Sequence, residues 1–344
     1  MILPRSAASY RAAKLTRVQA LLLAEVAGIS IAQAVTTLVR RAVRGPLRPG
    51  WDRRTEIAQG VMRAVLMRSK RRGIVWMRAA QAALPANVPL ADQVEFRTEA
   101  FGGVPCGWCA PRGRRPERVI VYFHGGGFVI GSVAGYRDLL SRLALGADAR
   151  VLAVDYRLAP EHPFPAQLED CLGATRAFLA TGVDVRSVSI AGDSAGGSLA
   201  VATLCALRDA GAPLPAAAAL ICPWTEPFAA GGSMDANAAF DFGDHELLAG
   251  WAQATIGGGD PADPRFTVAN AKLAGLPPLL VQVGSVEVLY DQVQRFVASA
   301  RAAGVETALE VLPEMFHDVH LQAALLPEGA AALAAVASFL RERT

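Results

Sequence analysis

The chain has 344 residues, long for one average domain but ordinary for an α/β enzyme with an added cap. Hydrophobic residues make up 52% and charged residues 19%, so a large core can be buried; the net charge of +3, with no basic block interleaved with aromatics, excludes nucleic acid as a partner. The five cysteines (Cys106, Cys109, Cys171, Cys205 and Cys222) are scattered and odd in number, which argues against a disulfide scaffold and for a reducing, cytoplasmic setting.

The first feature in chain order is a mostly apolar stretch, residues 15–39, between Lys14 and Arg17 on one side and Arg40 and Arg41 on the other. A secretory signal would explain the basic start and Ala32-Gln33-Ala34, but Glu25 interrupts its apolar region. A membrane span has the length, but Gln19, Glu25, Gln33, Thr36 and Thr37 weaken it. Lys14, Arg17, Glu25, Gly28, Thr36 and Arg40 fall near one stripe of a 3.6-residue period. The favoured reading is therefore a helix whose wide apolar face covers the body of the protein or touches a membrane surface. Pro46, Pro49 and Gly50 end it, and residues 51–71 carry a second helical pattern with Ile57, Val61, Val65 and Leu66. Residues 1–93 read as an N-terminal helical segment contributing to a cap.

From Val94 onward, short apolar runs alternate with helical patterns. Strands are expected near 94–98, 105–110, 118–123, 151–155, 187–191, 218–222, 279–283 and 307–312. That alternation predicts an α/β fold: a mostly parallel sheet flanked by helices, with its site at the carboxyl ends of the strands. Residues 94–344 form the expected catalytic body, with a cap insertion at about 224–273. Cys106-Gly107-Trp108-Cys109 has the spacing of a redox dithiol but lies between glycines and Pro111, where a strand explains it better than a helix start.

Two glycine motifs fall on strand ends. His124-Gly125-Gly126-Gly127-Phe128 follows the run Val119–Phe123, and Gly192-Asp193-Ser194-Ala195-Gly196 separates a strand from an Ala/Leu-rich helix. A nucleophile on a strand-to-helix elbow needs glycine neighbours because its backbone is strained and closely packed. The helix beginning at Ala195 would aim its free N–H groups at the site, making the Ala195 N–H an oxyanion donor beside the glycine loop. Glu287 and His317 follow, completing the order serine, acid, histidine that points to acyl transfer. Asp193 reads as structural. Asp291 rivals Glu287 as the acid, Asp318 is poorly placed to grip the histidine ring, and His320 and His245 are the competing histidines.

These residues resemble the bacterial hormone-sensitive-lipase family of esterases, within the α/β-hydrolases, from about Val94 to the C-terminus. Asp155-Tyr156-Arg157-Leu158-Ala159-Pro160-Glu161-His162-Pro163 and Gly275-Leu276-Pro277-Pro278 add to the likeness. The resemblance implies oxyanion donors at Gly126, Gly127 and Ala195 and structural roles for His124 and His162. It implies a serine carboxylesterase or lipase with the triad Ser194, Glu287 and His317, acting on small apolar esters of short to medium acyl chain. The family's acid is usually an aspartate; here Glu287 stands in its place. No metal or organic cofactor is required. Phe128, Trp224, Phe240 and Phe242 are candidates for the substrate pocket; the competing reading is that most such aromatics only pack the cap on the body. An acyltransferase with the same triad, or a non-catalytic ligand-binding relative, are the alternatives. Membrane contact through residues 15–39 and a homodimer through the 330–341 helix are the further expected associations.

Overall fold

The computed structural model describes residues 17–83 and 88–344. Two long helices come first, α1 (Arg17–Arg44) and α2 (Arg53–Ala83); the second is interrupted at Gly73, whose φ of 82° and ψ of 169° no helix accommodates. Then follow β1 (Val94–Phe101), β2 (Val104–Pro111), β3 (Val119–Phe123), α3 (Arg137–Ala147), β4 (Arg150–Val154), α4 (Ala166–Leu179), β5 (Val188–Asp193) and α5 (Ala195–Asp209). The chain continues with β6 (Ala217–Ile221), α6 (Ser233–Ala236), α7 (His245–Ile256), β7 (Leu279–Gly284), α8 (Tyr290–Ala302), β8 (Thr307–Leu312) and α9 (Pro327–Arg343).

The strands form one sheet in the order β1-β2-β4-β3-β5-β6-β7-β8. The β1–β2 and β2–β4 pairs are antiparallel and the rest are parallel. Parallel strands linked by helices are covered on both faces, so they read as unbroken apolar runs. The period of two then sorts each strand's side chains between two cores. Val119, Val121 and Phe123 of β3 face one core with α4, α5, α8 and part of α2; Ile120 and Tyr122 face the other, with α3 and α9. At the second face α3 and α9 approach so closely that a Cβ on Gly146 would lie 2.9 Å from Ala337 Cβ.

Cys106 and Cys109 are both on β2 and belong to opposite cores. The sheet separates them, and burial pushes both thiols up to about 12. Thiols on opposite faces of a strand cannot join in a disulfide.

The helices α1 and α2 pack along each other, and α2 reaches the chain between β6 and β7. Gln59 Nε2 and Arg63 Nη1 donate to the carbonyl of Asp241 at 3.0 and 2.8 Å, and Lys70 pairs with Asp244 and Glu246. The stretch Gln19–Arg44 is long and apolar enough to cross a membrane, by length and composition alone.

Candidate active site

Ser194 caps the junction between β5 and α5 with φ 51° and ψ −119°, a conformation that L-residues hold only under external constraint and at a cost of about 1–3 kcal/mol. The constraint is visible. Its N–H donates to Ile221 O at 2.8 Å and its carbonyl accepts from Trp224 N at 3.0 Å. A Cβ on Gly192 would be driven into the Gly196 carbonyl, and one on Gly196 into the carbonyl of Phe123. The elbow thus exists because three backbones meet with no side chain between them.

The glycine loop after β3 runs alongside. Gly126 and Gly127 have φ of 108° and 58°. A Cβ on Gly127 would strike the Trp251 ring of α7. Among the described residues, no protein acceptor takes the N–H of Gly126, Gly127 or Ala195. Asp193 does not cap α5. Its carboxylate accepts from Gly125 N at 2.9 Å and from the hydroxyls of Tyr122 and Tyr136, each at 2.7 Å, which ties the loop to β5. Burial, with Asp318 nearby, pushes Asp193 up to about 8. His124 stacks on Tyr156 at 4.2 Å and contacts Gly125 O at 2.8 Å through Nδ1. Arg78 of α2 donates to Val129 O at 2.6 Å, holding the same loop from outside.

His317 follows β8 and is buried. Its Nδ1 lies 2.9 Å from Glu287 Oε2, and Glu287 is fully buried. The other carboxylate oxygen, Oε1, accepts from Gly284 N and lies 2.7 Å from Cys222 Sγ. The longer glutamate side chain is therefore held at both oxygens. Asp291 is elsewhere: its Oδ2 accepts from Ser233 N at 2.8 Å, which anchors α6 to α8.

Two features near His317 depart from what the sequence predicts. Asp318 adopts a left-handed conformation (φ 51°), which turns its carboxylate back toward its neighbour, and Oδ2 lies 3.2 Å from His317 Nε2. The expectation that Asp318 is poorly placed is corrected: it contacts the ring on the edge opposite Glu287. Burial by itself disfavours a charged His317; Asp318 and Glu287 outweigh it and hold the imidazole well above the ordinary histidine range. The second feature is Asp241, fully buried between α6 and α7. Its Oδ1 accepts from Phe242 N at 2.8 Å and His317 N at 3.2 Å, and its Oδ2 from Val288 N at 2.8 Å. Burial raises it to about 6. One carboxylate thus joins the insertion, the acid loop and the histidine loop. Nothing in the motif pattern singled it out; an aspartate inside an apolar insertion was the only signal.

The other candidates separate. Phe242 lies 4.9 Å from the His317 ring. Phe128 and Trp224 are buried and stacked 5.8 Å apart, with Phe266 against Phe128 at 5.6 Å. Phe240 lies under the Arg48 guanidinium and packs with the Trp51 and Phe316 cluster, away from the serine loop. His320 Nε2 bonds Gln282 Oε1 at 2.7 Å, and burial lowers it to about 4; His245 is exposed at the start of α7. Cys222, Asp318 and His320 bring one donor atom each within 4.8 Å of one another, as do Cys222, Glu287 and His317. The second set is already joined by its own hydrogen bonds. A cleft of about 600 Å³ lined by Glu226, Phe228, Thr267 and Arg295 includes none of Ser194, Glu287 or His317.

Comparison with known proteins agrees with this fold. A family model described as the α/β hydrolase fold matches residues 120–321. An acetyl-hydrolase of Streptomyces hygroscopicus is 42% identical over 274 residues, covering 79% of this chain and 90% of that protein. The putative acetyl-hydrolase LipR of Mycobacterium tuberculosis is 32% identical, covering 84% and 94%. The crystal structure of an esterase from the bacterial hormone-sensitive lipase family superposes with a TM-score of 0.74 at 37% identity, covering 94% of this chain and 98% of that one. With the fold, the glycine loop and the serine elbow all in place, this chain belongs to the bacterial hormone-sensitive-lipase family of α/β-hydrolases.

Proposed function

We propose that this chain, a carboxylic ester hydrolase by family, works by two-step acyl transfer through an acyl-enzyme on Ser194. The observation that carries the reading is the buried His317–Glu287 pair, 2.9 Å apart, at the same sheet edge as a serine in strained backbone. Ser194 Oγ attacks the ester carbonyl as His317 Nε2 takes its proton. Glu287 holds the Nδ1–H tautomer and steadies the imidazolium. The carbonyl oxygen, now negative, accepts from the N–H groups of Gly126, Gly127 and Ala195, which have no other acceptor among the described residues. The tetrahedral species collapses, the C–O bond breaks and His317 protonates the departing alcohol. Water then repeats the sequence on the acyl-serine and releases the acid.

The helices α1 and α2 and the insertion at 224–273 act as a cap. Trp251 against Gly127, the stacked Phe128 and Trp224, and Phe242 beside His317 are the side chains assigned to bound a short to medium acyl group. The acetyl-hydrolase names of two relatives favour the short end. Hydrolysis of p-nitrophenyl esters from acetate to palmitate tests this. Turnover should peak at short chains and fall by about 10⁴-fold or more in Ser194→Ala. A palmitate optimum would overturn the pocket reading, and a Ser194→Ala enzyme of undiminished rate would overturn the mechanism.

A further inference from the structure

The outer face of α1 is a surface that ester hydrolysis leaves without a use. Ten large hydrophobic side chains are exposed among the described residues, and six of them lie on this helix: Leu21, Ile31, Val35, Leu38, Val39 and Val43. Between Ala20 and Val43 every exposed position is apolar except Gly28 and Thr36. A surface helix of a soluble protein normally turns polar residues outward, and a contiguous apolar face marks a binding surface.

The inner face is occupied. Glu25 accepts from Trp76 Nε1 at 3.1 Å and pairs with Arg68 and Arg72 of α2; Arg40 and Arg41 pair with buried Glu56; Val26 enters the core. To cross a bilayer, α1 would have to give up these contacts and take Glu25 into hydrocarbon. Lying along a surface, it keeps them all.

Charge identifies the surface. Residues 1–51 contain Arg5, Arg11, Lys14, Arg17, Arg40, Arg41, Arg44 and Arg48 against a single acid, Glu25, so this segment is +7 while the whole chain is only +3. That one acid is turned inward to α2. Two copies meeting through this segment would bring like charges together, whereas an anionic membrane surface attracts them. We propose that the outer face of α1 docks this protein on anionic bilayers, with the helix lying in the interface, Arg40 and Arg41 still on Glu56 and exposed Arg44 among the headgroups.

The test is flotation of the full chain with vesicles of phosphatidylcholine alone or mixed equally with phosphatidylglycerol. The protein should float with the anionic vesicles, and high salt should weaken this. The double variant Ile31→Glu/Val35→Glu, altered only at exposed positions, should partition at least about tenfold less. Its hydrolysis of a soluble p-nitrophenyl ester should match wild type, which separates docking from the esterase reading. Wild type failing to float, or the double variant floating equally well, would overturn the proposal. So would a dimer by light scattering that the double variant dissociates without any vesicle binding; a second copy would then be what covers the face.

Discussion

The serine side and the histidine side of this site are built in opposite ways. Around Ser194, backbone meets backbone: Gly192, Gly196 and the glycine loop allow three chain segments to touch, and the residues responsible lie within two short motifs. Around His317, side chains do the work, and they come from far apart in the chain. Glu287 grips the ring, Cys222 and Gly284 hold Glu287, Asn237 Nδ2 donates to the Glu287 carbonyl at 2.8 Å, and Asp241 holds the backbone of both loops. Even the connection between α1 and α2 contributes, through Trp51 Nε1 donating to Glu314 O at 2.5 Å and the Arg48–Glu314 pair at 2.6 Å. The strained turn at Ser194 is marked by its own motif, although Ile221 O and Trp224 N hold its backbone from outside. The pairing at His317, assembled at long range, depends on Asn237, Asp241 and Trp51 being in place.

The largest effect expected from this contrast falls on the acid. Glu287→Gln keeps the shape but lets the wrong tautomer form, and should lower kcat by about 10³- to 10⁴-fold. Asp291→Asn should leave kcat near wild type, because that carboxylate holds Ser233 and does not face the imidazole. Steady-state kinetics on one soluble ester compares the two. If Asp291→Asn were the more damaging change, the pairing in the structure would not be the working one.

Asp241→Asn sharpens the comparison at intermediate size. An amide retains one acceptor, but its NH₂ would face either Val288 N–H or the Phe242 and His317 N–H groups. One buried donor is left unpaired, at a cost of about 1–3 kcal/mol. Urea unfolding should register that loss, and kcat should fall about tenfold with little change in KM, since the residue positions loops and does not meet substrate. The counterpart on the serine side is Asp193, whose carboxylate ties the glycine loop to β5 through Gly125 N and the Tyr122 and Tyr136 hydroxyls, whereas the backbone contacts there are disturbed by filling a glycine.

How much of this was legible in the sequence follows the same division. The central parallel strands were readable because buried parallel strands are unbroken apolar runs bounded by turns, and β5 with Ser194 came with its glycines. Asp241 was not readable: an aspartate that accepts backbone N–H groups from distant loops leaves no period and no spacing. Phe240 and Phe242 are two residues apart, yet one packs with Trp51 and Phe316 and the other with His317, a distinction made only by the fold. The outward apolar face of α1 was legible as composition, but which face α2 would cover was not.

The smallest expected effect concerns Asp318, whose placement depends on one left-handed backbone angle. Its carboxylate lies 3.2 Å from Nε2, the nitrogen that takes the proton from Ser194 in the proposed mechanism, and with Glu287 it holds His317 protonated above the usual histidine range. A raised histidine contributes stability that is fully present below its unfolded pKa and is lost as pH rises through the folded one. Catalysis has the opposite sign, because only the neutral ring can act as the base. Wild-type kcat/KM should therefore rise through a pH range above that of an ordinary histidine, while thermal stability declines over the same range. Asp318→Asn removes one of the two charges responsible. The acid limb of its pH–rate profile should move to lower pH, so that the variant gains on wild type in mildly acidic buffer, and the stability loss should move with it. An unmoved acid limb would mean that Asp318 leaves Nε2 before the base is used. The Ser194 side would then control the proton alone, and the histidine's side would owe its tuning entirely to Glu287.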